Sequence, residues 1–270
     1  MAHAPAARRS TDARDYQDIA QPIGAMTLIY PDGHVIPMHV HPRDQLLYGV
    51  RGVMRLLTER DAWAAPPDRA VYIPAGTPHS VHMHGDVDIR TLYIAPERGA
   101  AVKSVRVVAV SNLLRELVLA LTEEPVDYTP ESRAGRIARL IEDEIARAVD
   151  LSLGMPLPRD RRLQRVCAEL LSDLADNRPL EAWADFAGAS PRTLARLFER
   201  DLGMSFRAWR QRARFHGALQ ALGEGAPVAE VARRTGYRSP SAFAAAFRKA
   251  FGAPPTGFAS RPAVSSDVSP

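Results

Sequence analysis

Between residues 23 and 110 the apolar side chains come in short runs: GAMTLIY, DQLLYGV, GVMRLLT, AVYIP and DIRTLYIAP. Turn signals separate them, including Pro31-Asp32-Gly33, Pro66-Pro67-Asp68 and Pro74-Ala75-Gly76. Short runs rich in Val, Ile, Leu and Tyr at fairly even spacing predict many strands in an antiparallel sandwich or small barrel. At Ser111 the period changes. SNLLRELVLALT opens on a plausible Ser N-cap and sets Leu113, Leu114, Leu117, Val118 and Leu121 on one broad face of a helix. A second helix is expected from about Pro130 to Val149, with Ile137, Leu140, Ile141 and Ile145 as its stripe. GMPLPRD (154–160) breaks it, and Pro156 and Pro158 mark a linker. Everything from there to Gly257 reads as helices joined by short Gly/Ser/Pro turns.

That last region repeats itself at an offset of 49 residues. Ser190-Pro191 matches Ser239-Pro240, Leu194 matches Phe243, Phe198 matches Phe247, Leu202 matches Phe251 and Gly203 matches Gly252. Each copy is a capped helix with one buried face and a Gly at its exit. A shorter apolar helix precedes each, LEAWADFAG (180–188) and PVAEVARRTG (227–236). Helix, tight turn, capped helix is a helix-turn-helix arrangement, present twice. SFRAWRQRARFHGALQALGEG joins the copies as one helix, with Phe206, Trp209, Ala213, Leu219 and Leu222 toward the core. The units expected are 1–18 as a loose tail, 19–110 as a β-barrel sensor domain, 111–159 as connecting or dimerisation helices and linker, 160–260 as the double helix-turn-helix domain, and 261–270 as a second tail.

Charge sharpens this division. Residues 1–160 carry 18 basic and 21 acidic side chains; residues 161–270 carry 17 basic against 10 acidic, and all but Lys249 of those 17 are Arg. Arginine suits planar, bidentate contacts to phosphate and guanine edges, so the basic half points to nucleic acid, with a solvated cationic surface as the plain alternative. The only cysteine, Cys167, lies on an apolar stripe with Leu163, Val166 and Leu170 and reads as core. One cysteine excludes a disulfide framework, and no apolar run approaches the roughly 18 residues of a membrane span. A cytoplasmic protein without membrane contact is expected.

From about 160 to 258, motif order, spacing and connecting helix resemble the DNA-binding domain of AraC/XylS-type transcriptional regulators. The resemblance implies that Pro191–Arg200 is a first recognition helix presenting Arg192, Thr193, Ala195 and Arg196 to base edges. It implies a second at Pro240–Lys249, offering Ser241, Ala244 and Ala245. Two alanines can touch a thymine methyl but cannot hydrogen-bond, so base reading would lean on the first copy. Arg207, Arg210, Arg238, Ser239, Arg248 and Lys249 lie beside the expected turns and helix ends. Of these, Arg238, Ser239, Arg248 and Lys249 would mostly position the second copy on phosphates, with an ordinary solvated face as the alternative for Arg248 and Lys249.

Six of the eight histidines fall between 34 and 84. His39 and His41 alternate, so on a strand both point to one face, and His79 follows a Pro-x-Gly turn. The spacing around His39, His41, Gln45 and His79 resembles the two cupin motifs over about 33–96, which implies a double-stranded jelly roll. Three imidazoles converging there are candidates to bind an effector or a divalent transition metal; hydrogen-bonded barrel residues are the other reading. The chain departs from the cupin pattern at Gln45, where a Glu usually completes the ligand set, at Asp68 for the first Gly of the second motif, and at Met83 for its final Asn. His82 and His84 are expected at a strand end near solvent.

An α+β multidomain chain is therefore expected, a cupin-like jelly roll followed by an all-α domain with two helix-turn-helix motifs. Its function would be a sequence-specific transcriptional regulator, responsive to an effector and controlling a nearby transporter, efflux or metabolic gene. Partners would be double-stranded DNA, a small-molecule or metal effector, RNA polymerase and a second copy of the chain. No catalytic residue is assigned. The alternatives are a metal-dependent cupin enzyme fused to a DNA-binding module, and a non-specific architectural DNA binder.

Overall fold

The computed structural model describes residues 10–67, 69–99, 103–151 and 153–258. The expected tail 261–270 and Asp68 lie outside the described residues. Strands β1 (Ile23–Tyr30), β2 (Val35–His39), β3 (Asp44–Leu57), β4 (Asp61–Ala65), β5 (Arg69–Ile73), β6 (His79–Ile94) and β7 (Arg106–Ala109) come first. Helices α1 (Asn112–Glu123) and α2 (Arg133–Arg147) follow, then the two-residue strand β8 (Met155–Pro156). The helical half contains α3 (Arg161–Ser172), α4 (Leu180–Ala187), α5 (Pro191–Leu202), α6 (Phe206–Gly223), α7 (Val228–Arg234) and α8 (Pro240–Phe251).

The sheet runs β1-β6-β3-β4-β8, with β2 on β6, β5 on β3 and β7 on β5. The two long strands β3 and β6 carry the fold around. Their pairing shifts register between Gly49 and Val53, and Gly52 takes φ 77° there. A Cβ on Gly52 would stand 2.7 Å from the Asp86 carbonyl oxygen, so only glycine lets the strands bend this closely. Beyond the bend, alternation separates two environments. Leu47, Met54, Leu56, Val81, Met83 and Ile89 fill the interior. Leu46, Tyr48, Leu92 and Ile94 face outward and are covered by α1 and α2. Strands buried on both faces explain why these segments read as continuous apolar runs.

Both helix caps expected here are present: Ser111 accepts from the Leu114 amide, and Ser132 from the Gly135 amide. Leu114, Leu117, Val118, Leu121, Ile137, Ile141 and Ile145 are buried against the sheet, and each fully buried side chain of this kind contributes about 1.5–3 kcal/mol. Leu113 and Leu140, counted in the same stripes from sequence, are instead 51% and 46% exposed.

Two expectations for the chain's organisation are corrected. Residues 13–16, placed in the loose tail, form a 3-10 turn capped by Asp12, and Tyr16 is buried against Met26 and Tyr93. An aromatic ring with apolar neighbours in reach orders a segment that its polar composition alone would leave loose. The stretch 154–160, read as a linker, begins as β8, hydrogen-bonded to β4 and held from the other side by the helical domain. Trp209 Nε1 donates to the Pro156 carbonyl at 2.9 Å, and the Arg212 guanidinium donates to the Gly154 carbonyl. Proline tolerates this because an edge strand needs no amide there.

Helix α6 also rests on the barrel. Gly223 lies against β3 so closely that a Cβ would stand 2.2 Å from Val53 Cγ2. The N-terminal half of α6 (Phe206, Trp209, Ala213) shares a core with α3, α4 and α5. Its C-terminal half (Phe215, Ala218, Leu219, Leu222) shares another with α7 and α8. One helix thus supports both copies of the repeat.

Candidate nucleic-acid interface and barrel site

The repeat holds in atomic detail. Ser190 accepts from the Thr193 amide at 3.2 Å and Ser239 from the Ala242 amide at 3.1 Å, each followed by Pro in the first turn. Gly203 and Gly252 end the two helices at φ 66° and 75°. Leu194, Phe198, Phe243 and Phe247 are fully buried, so the opposite faces of α5 and α8 point away from the core. On α5 that face carries Arg192, Arg196 and Arg200, all exposed. Thr193 is half-buried and its hydroxyl lies 2.9 Å from Ser190 Oγ, which ties it to the cap. Ala195 is half-buried. On α8, Ser241, Ala245, Arg248 and Lys249 are exposed and Ala244 half-buried. Arg207 at the start of α6 and Arg238 ahead of α8 are exposed, and half-buried Ser239 caps α8 by accepting from the Ala242 amide, which leaves its hydroxyl proton free to donate.

Arg210 departs from this set. It is half-buried, its Nη1 donates to the Arg178 carbonyl at 2.8 Å, and its guanidinium lies 4.8 Å over the Phe206 ring. Burial pushes its pKa down. Its cation is turned to the fold, because position 210 falls on the side of α6 that meets the chain entering α4.

In the barrel, the end of β2, the connection after it and the start of β6 bring His39, His41 and His79 together, with one ligand nitrogen from each ring inside a span of 4.8 Å. The His39 and His79 ring centres are 4.3 Å apart and those of His41 and His79 5.1 Å. Each Nδ1 faces a carbonyl: His39 to Pro37 at 2.8 Å, His41 to Arg43 at 2.6 Å, His79 to Thr77 at 2.8 Å. A carbonyl only accepts, so each Nδ1 carries the proton and each Nε2 is left as a lone pair. Burial pushes His41 down and holds His79 at about 4, which keeps these two rings neutral at pH 7. His79 Nε2 is buried without a hydrogen-bond partner.

Gln45 lies beside them, its Oε1 3.0 Å from His41 Nε2 and its Nε2 2.8 Å from Thr91 Oγ1. With His41 neutral, the contact closes only if the amide presents its NH2 to the ring and accepts from Thr91. A glutamate would instead add a charge, so Gln45 makes this a neutral site. The cluster borders a cavity of about 450 Å³ lined by Met26, Leu28, Ile36, Leu47, Val81 and Ile89 on its apolar side. Thr11, Asp12 and Ala13 of the N-terminal segment also line it.

Sequence comparison agrees with both halves. The family model described as a helix-turn-helix domain matches residues 183–261, and that for the cupin domain matches residues 26–95. The HTH-type transcriptional regulator NimR of Escherichia coli K12 is 30% identical over 225 residues, covering 83% of this chain and 82% of that protein. The chain belongs to the AraC-type transcriptional regulators. RipA of Corynebacterium glutamicum, another HTH-type regulator, is 34% identical over 48% of this chain and 38% of its own length. Among solved structures, ToxT from Vibrio cholerae covers 88% of this chain and 98% of its own at 10% identity, with a TM-score of 0.37.

An AraC-type regulator binds DNA, and its relatives are named as regulators rather than enzymes. Three features of this regulator escaped the sequence reading. Thr91 and Tyr93 face the cluster from β6, legible in hindsight from the alternation in RTLYI. Arg200 extends the cationic face of α5 by one turn, at the spacing of Arg192 and Arg196. His82 and His84, expected at a strand end, stand mid-strand in β6, with His84 Nδ1 3.7 Å from Glu224 Oε1. Their alternation could not reveal that a helix from the other domain covers that face.

Proposed function

We propose that this regulator reads a specific DNA sequence chiefly through α5, holds its register through phosphate contacts of the second copy, and responds to an effector bound in the barrel. The observation that carries the DNA reading is the exposed cationic face of α5 set on the same helix as α8. The 18 residues of α6 rise about 27 Å and carry α5 and α8 on opposite halves, while adjacent major grooves on one face of the duplex lie roughly 34 Å apart. Arg192 and Arg196, one turn apart, take guanine O6 and N7, with Thr193 and Ala195 beside them. Ser241 and Ala245 lie against base edges of the second half-site. Arg207, Arg238, Ser239, Arg248 and Lys249 position the backbone. Arg210 is left out of this set for the internal contacts described above.

Arg248→Ala is expected to weaken binding about equally on all sequences and to flatten the salt dependence of log K by about one unit. Fluorescence anisotropy across a salt series checks this; an unchanged slope removes Arg248 from the phosphate contacts.

The effector reading rests on the apolar cavity ending at three imidazoles. A cavity of this size suits a small molecule, with the histidines as its polar anchor. The orphaned His79 Nε2 and the shared orientation of the three rings also fit a divalent transition metal on His39, His41 and His79, with Gln45 as a neutral neighbour. Such an ion would supply a Lewis-acidic point that fixes a ligand's donor atom at that end of the cavity. Occupancy then biases how the helical domain engages DNA.

His39→Ala combined with His79→Ala is expected to abolish uptake of Zn2+ or Ni2+ and the effector-dependent change in operator affinity. Basal DNA affinity should stay within about twofold, because neither residue is near α5 or α8. Titration calorimetry and an operator-binding assay on the full chain check both; an intact response assigns the histidines to structure. Control of a nearby transporter, efflux or metabolic gene, contact with RNA polymerase, and a cytoplasmic homodimer belong to the same proposal. Leu113 and Leu140, exposed on α1 and α2, are among the exposed apolar side chains that support a second copy docking there.

A further inference from the structure

The connection between α3 and α4, residues 173–179, lies clamped on α6. Leu174 seats against Gly217 in the middle of that helix, where a Cβ would stand 2.1 Å from Leu174 Cδ1. A glycine inside a helix costs stability, and the close approach of another chain segment is what requires one here. Three residues earlier on α6, half-buried Arg214 donates from Nε to the Leu174 carbonyl, and from Nη2 to the Asp176 carbonyl and Asn177 Oδ1, all at 2.9 Å. Its planar fork lets one side chain hold three acceptors of the connection at once. The connection is also fixed to the first helix-turn-helix copy. It runs straight into α4, and the Arg178 guanidinium lies 4.0 Å over the ring of Trp183, which is buried in one core with Leu194 and Phe198.

The other side of this connection meets the second copy. Gly236, in the turn between α7 and α8, has φ 73°. A Cβ there would stand 2.8 Å from Arg214 Nη2, 2.9 Å from the Ala175 carbonyl oxygen and 3.0 Å from Ala175 Cα. Asn177 Nδ2 donates across the same contact to the Gly236 carbonyl at 3.4 Å. From α6, Gln211 Nε2 donates to the Tyr237 hydroxyl at 2.5 Å, and the Tyr237 ring meets Phe243 of α8 at a centroid distance of 5.3 Å. The turn of the first copy contrasts with this. Gly188 has φ 65° and nothing within 4 Å of its Cβ position. The two turns share a backbone conformation but not their surroundings, because the second is docked on a loop that belongs to the first copy.

We propose that Arg214 is a positioning residue for DNA reading: it holds the 173–178 connection as a wedge against the turn at Gly236 and so fixes α8 relative to α5. This rests on the reading that both copies engage the duplex. Each copy packs on α6 through its own core, and a direct contact between the copies is what stops one from rotating about that helix relative to the other. Arg214 touches no DNA in this role, since its guanidinium is committed to the three acceptors of the connection. Two readers held at a fixed separation present the second to its half-site at high effective concentration, and they reject a duplex whose half-sites are displaced. One extra base pair between the half-sites moves them apart by about 3.4 Å and turns them by roughly 35°. A wedged pair cannot follow that change, whereas a pair free to rotate can.

The probe for the test is the duplex that the unaltered full chain selects from a random library. Two derivatives accompany it, one with a base pair inserted between the two protected blocks and one with either block scrambled. Fluorescence anisotropy at matched salt reads the affinities. For the unaltered chain the insertion is expected to weaken binding about tenfold or more. For Arg214→Lys, which keeps the charge without the planar fork, that penalty should fall to about threefold or less, and affinity for the selected duplex should drop about three- to tenfold. Binding to the half-scrambled duplexes should stay within about twofold of the unaltered chain, an outcome that a damaged fold would not give. Gly236→Ala puts a methyl against the Ala175 carbonyl and should lose the insertion penalty too. Gly188→Ala carries the same backbone strain in an open turn and should keep it. If Arg214→Lys and Gly236→Ala both retain the full penalty, the wedge is overturned while two-copy reading stands. Equal losses on the selected and half-scrambled duplexes make Arg214 a purely structural residue and overturn its positioning role. An unaltered chain that selects one block alone, or ignores the insertion, overturns two-copy reading and the wedge with it.

Discussion

Replacing both guanidinium groups on α5, Arg192→Ala with Arg196→Ala, is expected to cost about 2–6 kcal/mol of operator affinity, because each bidentate guanine contact discriminates by about 1–3 kcal/mol. That spans roughly thirty-fold to more than ten-thousand-fold in the dissociation constant. Affinity for scrambled DNA at the same salt concentration should fall much less, since non-specific binding rests on phosphate charge shared with Arg207, Arg238, Arg248 and Lys249. Anisotropy titrations on operator and scrambled duplexes at matched salt separate the two outcomes. Equal losses on both sequences would make α5 a phosphate clamp and move base reading elsewhere. The two arginines are one turn apart on a helix whose other face is anchored by fully buried Leu194 and Phe198, so their removal should leave the fold unaltered.

Trp209→Ala is expected to destabilise the helical domain by about 3–5 kcal/mol, the range for emptying a large aromatic site in a packed core. Trp209 is fully buried, meets Phe198 at a centroid distance of 6.2 Å, and donates its Nε1–H to the Pro156 carbonyl at the edge of the barrel sheet. Its loss removes packing from the first helix-turn-helix core and leaves a carbonyl without its partner. Chemical denaturation followed by helical circular dichroism checks the magnitude. Trp209→Phe restores most of the volume but not the donor, so it should recover the packing share of the loss alone. A loss under about 1 kcal/mol for Trp209→Ala would show that α6 is held on the barrel by other contacts.

The DNA-binding half was more legible than the barrel site for a physical reason. The caps at Ser190 and Ser239, the exit glycines at 203 and 252 and the buried positions between them are local requirements, satisfied within one helix. Duplication wrote each of them twice. The histidine cluster was half legible: alternation placed His39 and His41 on one face, and the structure brings His79 to them across the β2–β6 ladder. The hydrogen bonds that set all three tautomers come from carbonyls two residues away, of Pro37, Arg43 and Thr77, and depend on turn geometry that composition does not encode. Arg210 shows the opposite failure. Its position in a basic run suggested DNA, yet the ring of Phe206 and the carbonyl of Arg178 engage it within the fold.

From sequence alone followed the order of the two halves, the period of most long elements, the duplicated helix-turn-helix and the excess of positive charge in the DNA-binding part. All of these are set by neighbours within a few residues or by an internal repeat. Only the tertiary structure decided that Tyr16 packs on β1 and β6, that 154–160 begins as a sheet edge rather than a free linker, and that His84, Arg55 and His216 line one cavity between sheet and helix. Those outcomes depend on which surfaces are apolar and close enough to exclude water from one another. Residues 55 and 216 are brought together by the packing of α6 on β3, a contact for which spacing along the chain supplies no rule.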